Sequence, residues 1–279
     1  MQSRIYLDIK INGESMSSHS WDPERYLTYA DERGRPFLDL ISRIDVVAPR
    51  LVVDLGCGPG NLTRILKQRW PGAEVVGLDT SPEMIDRAIA DHIAGVRFEV
   101  ADLRAWKSAE PVDVLISNAT LQWVPGHLDL LPELVAQVAP GGWFAFQVPG
   151  NFAEPSHALL HKLAADNRFS PYLQGIARPD GHGPATYLET LLALGCEVDA
   201  WETTYLHVLQ GEDPVFTWIS QTGAGPTLRA LPDDLRAEFE GEYKRMLRNA
   251  YPTRAHGTVL PFRRVFVVAR VPGYLGGSQ

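Results

Sequence analysis

The chain has 279 residues, 45% of them hydrophobic and 22% charged, a balance ordinary for a globular enzyme and a length that buries a sizeable core. Its net charge of −8 argues against a general affinity for nucleic acid, which needs a basic face. Cys57 and Cys196 form neither a metal-spaced pair nor a disulfide framework, and no apolar run approaches a membrane span, so a cytoplasmic protein with free thiols is expected.

Residues 1–20 differ in character from the rest of the chain and lack the apolar core and cleavage site of a secretory signal. They are expected to be an unfolded or added extension, with native sequence from near Met16. Residues 22–48 read as two helices broken near Gly34-Arg35-Pro36. "LVVDL" (51–55) is a strand, Asn61 to Trp70 a helix stopped by Pro71-Gly72, and "EVVGLD" (74–79) a strand. Pro82 opens a helix to about Ala90. Strands follow at "VRFEVA" (96–101) and "VDVLISN" (112–118), then a helix from about Leu128 to Val138. A turn at Pro140-Gly141-Gly142 precedes the strand "WFAFQV" (143–148). Apolar, β-branched strands alternating with helices predict an α/β fold with a mostly parallel sheet covered on both faces.

After Gly150 the rhythm changes. Residues 151–195 carry helical segments and the loop "RPDGHGP" (178–184), and "EVDAWETTYLHVL" (197–209) is a long alternating strand. Residues 212–250 are mostly helical, and "RRVFVVARV" (263–271) is the closing strand. The reading is one domain over 21–271, with 50–150 as the ligand-binding core and 272–279 as a tail. The 151–195 and 212–250 stretches are expected to cap the C-terminal edge of the sheet, where open α/β sheets bind ligands.

"LVVDLGCGPGNLTRIL" (51–66) sets a glycine turn between strand and helix, so that backbone N–H groups face a ligand. Glycine is needed where a side chain would block approach. A P-loop needs Gly-Lys-Ser/Thr, but Gly60 precedes Asn61. A dinucleotide site needs GxGxxG, whereas Gly56-Cys57-Gly58-Pro59-Gly60 is GxGxG, which argues against a nicotinamide dehydrogenase. Asp54 would repel a pyrophosphate and suits a cationic amine. Asp79 ends the next strand, where a carboxylate accepts from ribose hydroxyls; a helix N-cap acid is the alternative. Asp102 follows the third strand, within reach of an adenine amino group, with the Leu103 backbone N–H beside it; a surface loop acid is the alternative. Amine, ribose and adenine without phosphate describe S-adenosyl-L-methionine.

The blocks "VVDLGCGPGN", "GLDTSPEM", "ADLRAW" and "ISNATLQWV" resemble those of the class I methyltransferases over about residues 50 to 150. The resemblance implies a Rossmann-like, seven-stranded, mostly parallel sheet with a reversed last strand. It implies that Asp54, Gly56 and Gly58 hold the methionine portion, and Asp79 and Met84 the ribose and adenine side. Asp102 and Leu103 then hold the base, and Asn118 lies near the sulfonium.

The flanks "WDPERYLTYADERGRPFLDLI" (21–41), "SNATLQWVPGHLDLLPELV" (117–135), "GCEVDAWETTYLHVL" (195–209) and "LPFRRVFVVAR" (260–270) resemble the branch of that family that esterifies trans-aconitate. This implies a small tricarboxylate partner, its monomethyl ester as product and S-adenosyl-L-homocysteine as by-product. A carboxylate is already ionised at neutral pH, so no general base, and hence no catalytic residue or metal, is expected. What the acid needs is cations for its other carboxylates, best supplied by arginine. Arg33, Arg178 and Arg263 are the candidates, with Arg35 and Arg264 behind them, and His157 and Tyr205 as further donors. Two readings compete: the same fold acting on another acid, an amine or a phenol, and a non-catalytic S-adenosylmethionine-binding protein.

Overall fold

A computed structural model of the chain describes residues 30–176 and 178–273. The expected 1–20 extension, the first of the two predicted N-terminal helices and the end of the tail lie outside the described residues.

The strands are β1 (Leu51–Leu55), β2 (Glu74–Asp79), β3 (Val96–Val100), β4 (Val112–Asn118), β5 (Val138–Pro149), β6 (Glu197–Leu209) and β7 (Thr258–Arg270). They form one sheet in the order β3-β2-β1-β4-β5-β7-β6. Pairings from β3 through β5 are parallel, and β7 runs antiparallel to both β5 and β6. The predicted α/β sheet with a reversed last strand is therefore present. From β1 the chain builds outward to β3 on one side, then returns to β4 on the other. This reversal leaves a crevice past the carboxyl ends of β1 and β4.

Among the described residues the helices are α1 (Ala30–Ile41), α2 (Thr63–Arg69), α3 (Pro82–Ala90), α4 (His127–Val135), α5 (Pro155–Ala164), α6 (Pro184–Ala193), α7 (Pro214–Ser220), α8 (Gly225–Ala230) and α9 (Asp233–Ala250). Strand alternation sends successive β7 side chains to opposite faces. Phe266 and Val268 pack with Phe37 and Leu40 of α1, while Val265, Val267 and Ala269 pack with Tyr187 and Leu191 of α6. A separate apolar cluster joins α5, α7 and α9 to the ends of β6 and β7, through Leu160, Trp218, Phe239, Tyr243, Leu209 and Phe262. Within 151–195, then, α5 belongs to this helical layer, whereas α6 covers the sheet itself.

Two boundaries differ from expectation. No break falls at Gly34-Arg35-Pro36: α1 runs through it with Pro36 inside. Burial of Phe37, Leu40 and Ile41 on one face of the helix outweighs the one backbone hydrogen bond that proline forfeits. The expected turn at Pro140-Gly141-Gly142 is a bulge within β5. Val112 pairs with Val138 and Val114 with Trp143, so the intervening residues loop out while the strand continues.

Candidate active site

The glycine turn is built by backbone geometry. Gly56 and Cys57 both donate backbone N–H bonds to the Leu78 carbonyl, folding the turn over the end of β2 (2.7 and 2.9 Å). Gly56 is at φ +76°, and a Cβ there would stand 2.0 Å from Thr120 Oγ1, so no side chain fits. Gly58 is also left-handed, at φ +54°, but a Cβ there would meet nothing within 4 Å. The turn is therefore closed against the protein at Gly56 and open toward the crevice at Gly58.

Two acids lie beneath it. Asp54 is 2% exposed and accepts a hydrogen bond from Thr63 Oγ1 at 2.7 Å. Burial pushes its pKa up to about 6 against the pull of the Thr63 bond, and Asp79 raises it further. Asp79 accepts from Gly58 N–H on one oxygen and Ser81 N–H on the other, both at 2.9 Å. Burial raises its pKa too, with these backbone bonds opposing. Among the described residues no ion pair reaches either acid. Two partly desolvated carboxylates beside a turn that is open at Gly58 suit a ligand carrying positive charge. S-adenosylmethionine carries two, an ammonium and a sulfonium.

The remaining residues of that set are spread along the edge. The N-cap of α3 is Ser81, whose Oγ accepts from Met84 N–H, and Met84 is buried behind it. Asp102 is half-exposed and held by the Arg104 guanidinium, which lowers its pKa. Leu103 turns inward to the core. Asn118 ends β4 with its side-chain Oδ1 buried and, among the described residues, without a hydrogen-bond partner. Ala119 follows at φ +55°, a conformation costly for a residue with a Cβ and common at functional sites.

Asn118 and Ala119 open onto a cavity at this edge of the sheet. It is floored by the ends of β4 and β5 and the middle of β7, and roofed by α5 and α7. Aromatic walls come from Trp123, Phe152, Trp218 and Phe262, and polar groups from Asn118, Gln122, Asn151, His157 and Arg264. Of the predicted acid-binding residues, His157 lines it, and so does Arg264 from the second rank of arginine candidates. Burial, and then His161, push the His157 pKa down to about 4, so at neutral pH it is an uncharged donor or acceptor. Arg178 is exposed beside the mouth, next to Pro179, which does line the cavity. The side chain of Arg33 lies outside what the structure describes.

Two candidates are corrected. Arg263 turns away and pairs with Glu202 at 3.0 Å, and alternation along β7 puts its neighbour Arg264 on the cavity wall instead. Arg264 is 6% exposed, donates from Nη1 to Gln147 Oε1 at 3.3 Å and sits over the Phe262 ring. Tyr205 does not line the cavity either. Its hydroxyl donates to Asp39 Oδ2 of α1 at 2.5 Å, and Arg35 covers its ring. Burial and Asp39 raise its pKa, so it stays a neutral anchor for α1. Sequence reasoning passed over Asn151, Gln122 and Gln147. Asn151 had the same signal as Asn118, a polar residue just past a strand on the ligand-binding edge.

The sheet order, the reversed last strand and the glycine turn over paired acids define a class I methyltransferase. A family model described as a methyltransferase domain matches residues 52–142. A trans-aconitate 2-methyltransferase of Streptomyces avermitilis is 52% identical over 259 residues, covering 90% of this chain and 96% of the relative. One from Mycobacterium tuberculosis is 47% identical over 257 residues, covering 91% and 97%. The chain belongs to the trans-aconitate 2-methyltransferase family and is an S-adenosylmethionine-dependent methyltransferase. The YcgJ protein of Bacillus subtilis shares the fold, with a TM-score of 0.56 at 12% identity over 85% of this chain and 98% of that one. Among the described residues no helix is long and apolar enough to cross a membrane, and no cluster of three or more His, Cys, Asp or Glu stands ready for a metal.

Proposed function

We propose that this chain methylates one carboxylate of trans-aconitate, giving the monomethyl ester and S-adenosylhomocysteine. The observation that carries this is the cavity at the carboxyl edge of the sheet, with a buried arginine on a wall that is otherwise aromatic and amide. The family relatives bear the name of this reaction.

S-adenosylmethionine supplies an electrophilic methyl group and, as it leaves, a neutral thioether. The chain's part is binding and alignment. Gly56 lets the turn close on Thr120 and Gly58 would let the backbone approach the methionine portion, while the buried acids Asp54 and Asp79 would favour its positive charges. Asp79, Met84, Asp102 and Leu103 would hold the ribose and base. Asn118 stands between this side and the cavity. Arg264 would hold the acid by a carboxylate that does not react, leaving another carboxylate free to accept the methyl group. No proton moves, because the nucleophile is a carboxylate, and His157 is not required as a base. The aromatic walls exclude water from the transfer. The buried thiols of Cys57 and Cys196 suit a reducing compartment, in keeping with a cytoplasmic enzyme.

The test is a panel assay with methyl-labelled S-adenosylmethionine and trans-aconitate, cis-aconitate, citrate, isopropylmalate, a phenol and a primary amine. Base-labile ester from trans-aconitate is expected. Ester from another acid alone moves the substrate, and tight cofactor binding with no methylated product leaves a binding protein. Arg264→Gln should raise the KM for the acid roughly 100-fold, as expected for loss of a buried charged contact, with cofactor affinity nearly unchanged.

A further inference from the structure

Whereas Asn118 and Gln122 each leave open one oxygen among the described residues, Asn151 is a cavity amide whose donor and acceptor are both left open. It follows β5, is 1% exposed and lines the cavity. Neither its Nδ2 nor its Oδ1 has a hydrogen-bond partner among the described residues. Its backbone is engaged, since the Asn151 carbonyl accepts from Glu154 N–H at 3.0 Å as the chain enters α5, so the side chain hangs from a fixed point. Buried amides seldom go unsatisfied, and one that lines a cavity offers it both a donor and an acceptor. Besides Asn118, Gln122 and His157, the cavity thus offers two anchors of different kinds, the Arg264 guanidinium on β7 and the Asn151 amide past β5, set among aromatic walls.

We propose that Asn151 is a specificity-determining residue that donates from Nδ2 to a second carboxylate of the acid, one that is neither methylated nor held by Arg264. This rests on the reading that the acceptor is a tricarboxylate. The arrangement assigns one anchor to each of the two carboxylates that do not react. A neutral amide there binds the anion without adding a second buried cation.

Two variants test it, Asn151→Asp and Asn151→Leu. Wild type and variants are compared for the KM of trans-aconitate, the Kd of S-adenosylmethionine and the melting temperature. Inhibition constants are measured for glutaconate, mesaconate and itaconate, dicarboxylates that each lack one carboxylate position of the unsaturated skeleton. Asn151→Asp should raise the KM at least 30-fold, and Asn151→Leu about 10-fold, with kcat within threefold and cofactor Kd unchanged. One dicarboxylate, the one missing the carboxylate that Asn151 binds, should inhibit wild type and Asn151→Leu equally, while the others weaken. Asn151→Leu should melt no lower than wild type, because it removes a buried amide that the protein itself does not satisfy. An unchanged KM in Asn151→Asp, equal weakening of all three dicarboxylates, or a lower melting temperature with altered cofactor Kd in Asn151→Leu overturns the proposal. Wild-type protein that neither esterifies trans-aconitate nor is inhibited by these acids overturns the substrate reading itself, an outcome seen without any variant.

Discussion

Asp54, Asp79 and His157 are titratable groups whose surroundings predict behaviour. Asp54 has a folded pKa of about 6, above its unfolded value of 3.8, because burial disfavours its charge. A cationic ligand beside it favours the ionised form, so S-adenosylmethionine affinity should weaken as pH falls below about 6, and Asp54→Asn should flatten that dependence. Calorimetric Kd values between pH 5 and 8 check this; an unchanged slope in the variant would remove Asp54 from the ligand's charge environment. Asp79 carries two backbone bonds from the turn and the α3 cap. Asp79→Asn keeps one acceptor, sets an amide N–H against one of the two backbone N–H donors and removes the charge, so it should weaken the cofactor about tenfold, equivalent to ~1.4 kcal/mol, with a modest loss of melting temperature. Asp79→Ala should lose both.

His157 works in the opposite direction. Its folded pKa of about 4 lies below the unfolded 6.5, so its contribution to stability is present above pH 6.5 and is lost as pH falls toward 4. The shift corresponds to ~3 kcal/mol at most. Denaturation midpoints across that window should fall more steeply for wild type than for His157→Gln, and parallel curves would contradict the burial argument.

At the scale of elements, α1 is held to the sheet by Phe37 and Leu40 from within and by the Tyr205–Asp39 hydrogen bond at its edge. Tyr205→Phe should cost ~1 kcal/mol of stability and leave the KM for the acid unchanged. A large KM effect in denaturant-matched assays would return Tyr205 to the acid site. The 178–184 loop is tied down in a similar way. Asp180 N–H donates to the Gln122 carbonyl and His182 N–H to the Tyr187 hydroxyl, which also meets His127 Nε2 at 2.7 Å. These bonds hold Pro179 against the cavity from a helix that is part of the sheet layer.

Across the whole molecule, the chemistry asks for alignment and charge and not for a proton carrier. The rate of ester formation at saturating substrates should therefore be flat from about pH 6.5 to 9, above the Asp54 and His157 transitions. A collapse with an apparent pKa near 7 would mean that a base takes part.

The strand and helix order, the GxGxG turn and its acids are local features, set by period and by residue type within a few positions. They were legible along the chain, and with them the fold class and the ligand class. Asn118 and His157 lie in such local settings and reach the cavity. The cavity was only partly legible, because it is assembled from the ends of β4 and β5, the middle of β7, and α5 and α7. Alternation along "FRRVF" says that Arg263 and Arg264 face opposite sides, but not which side holds the cavity. That choice was made by α1 on one face of the sheet and α6 on the other, whose packing turned Arg263 toward Glu202 and Arg264 inward. The sequence by itself thus determined the scaffold and its cofactor, because near-neighbour chemistry encodes both. Only the tertiary structure decided which arginine and which amides line the cavity, because that depends on elements distant in sequence closing around one space.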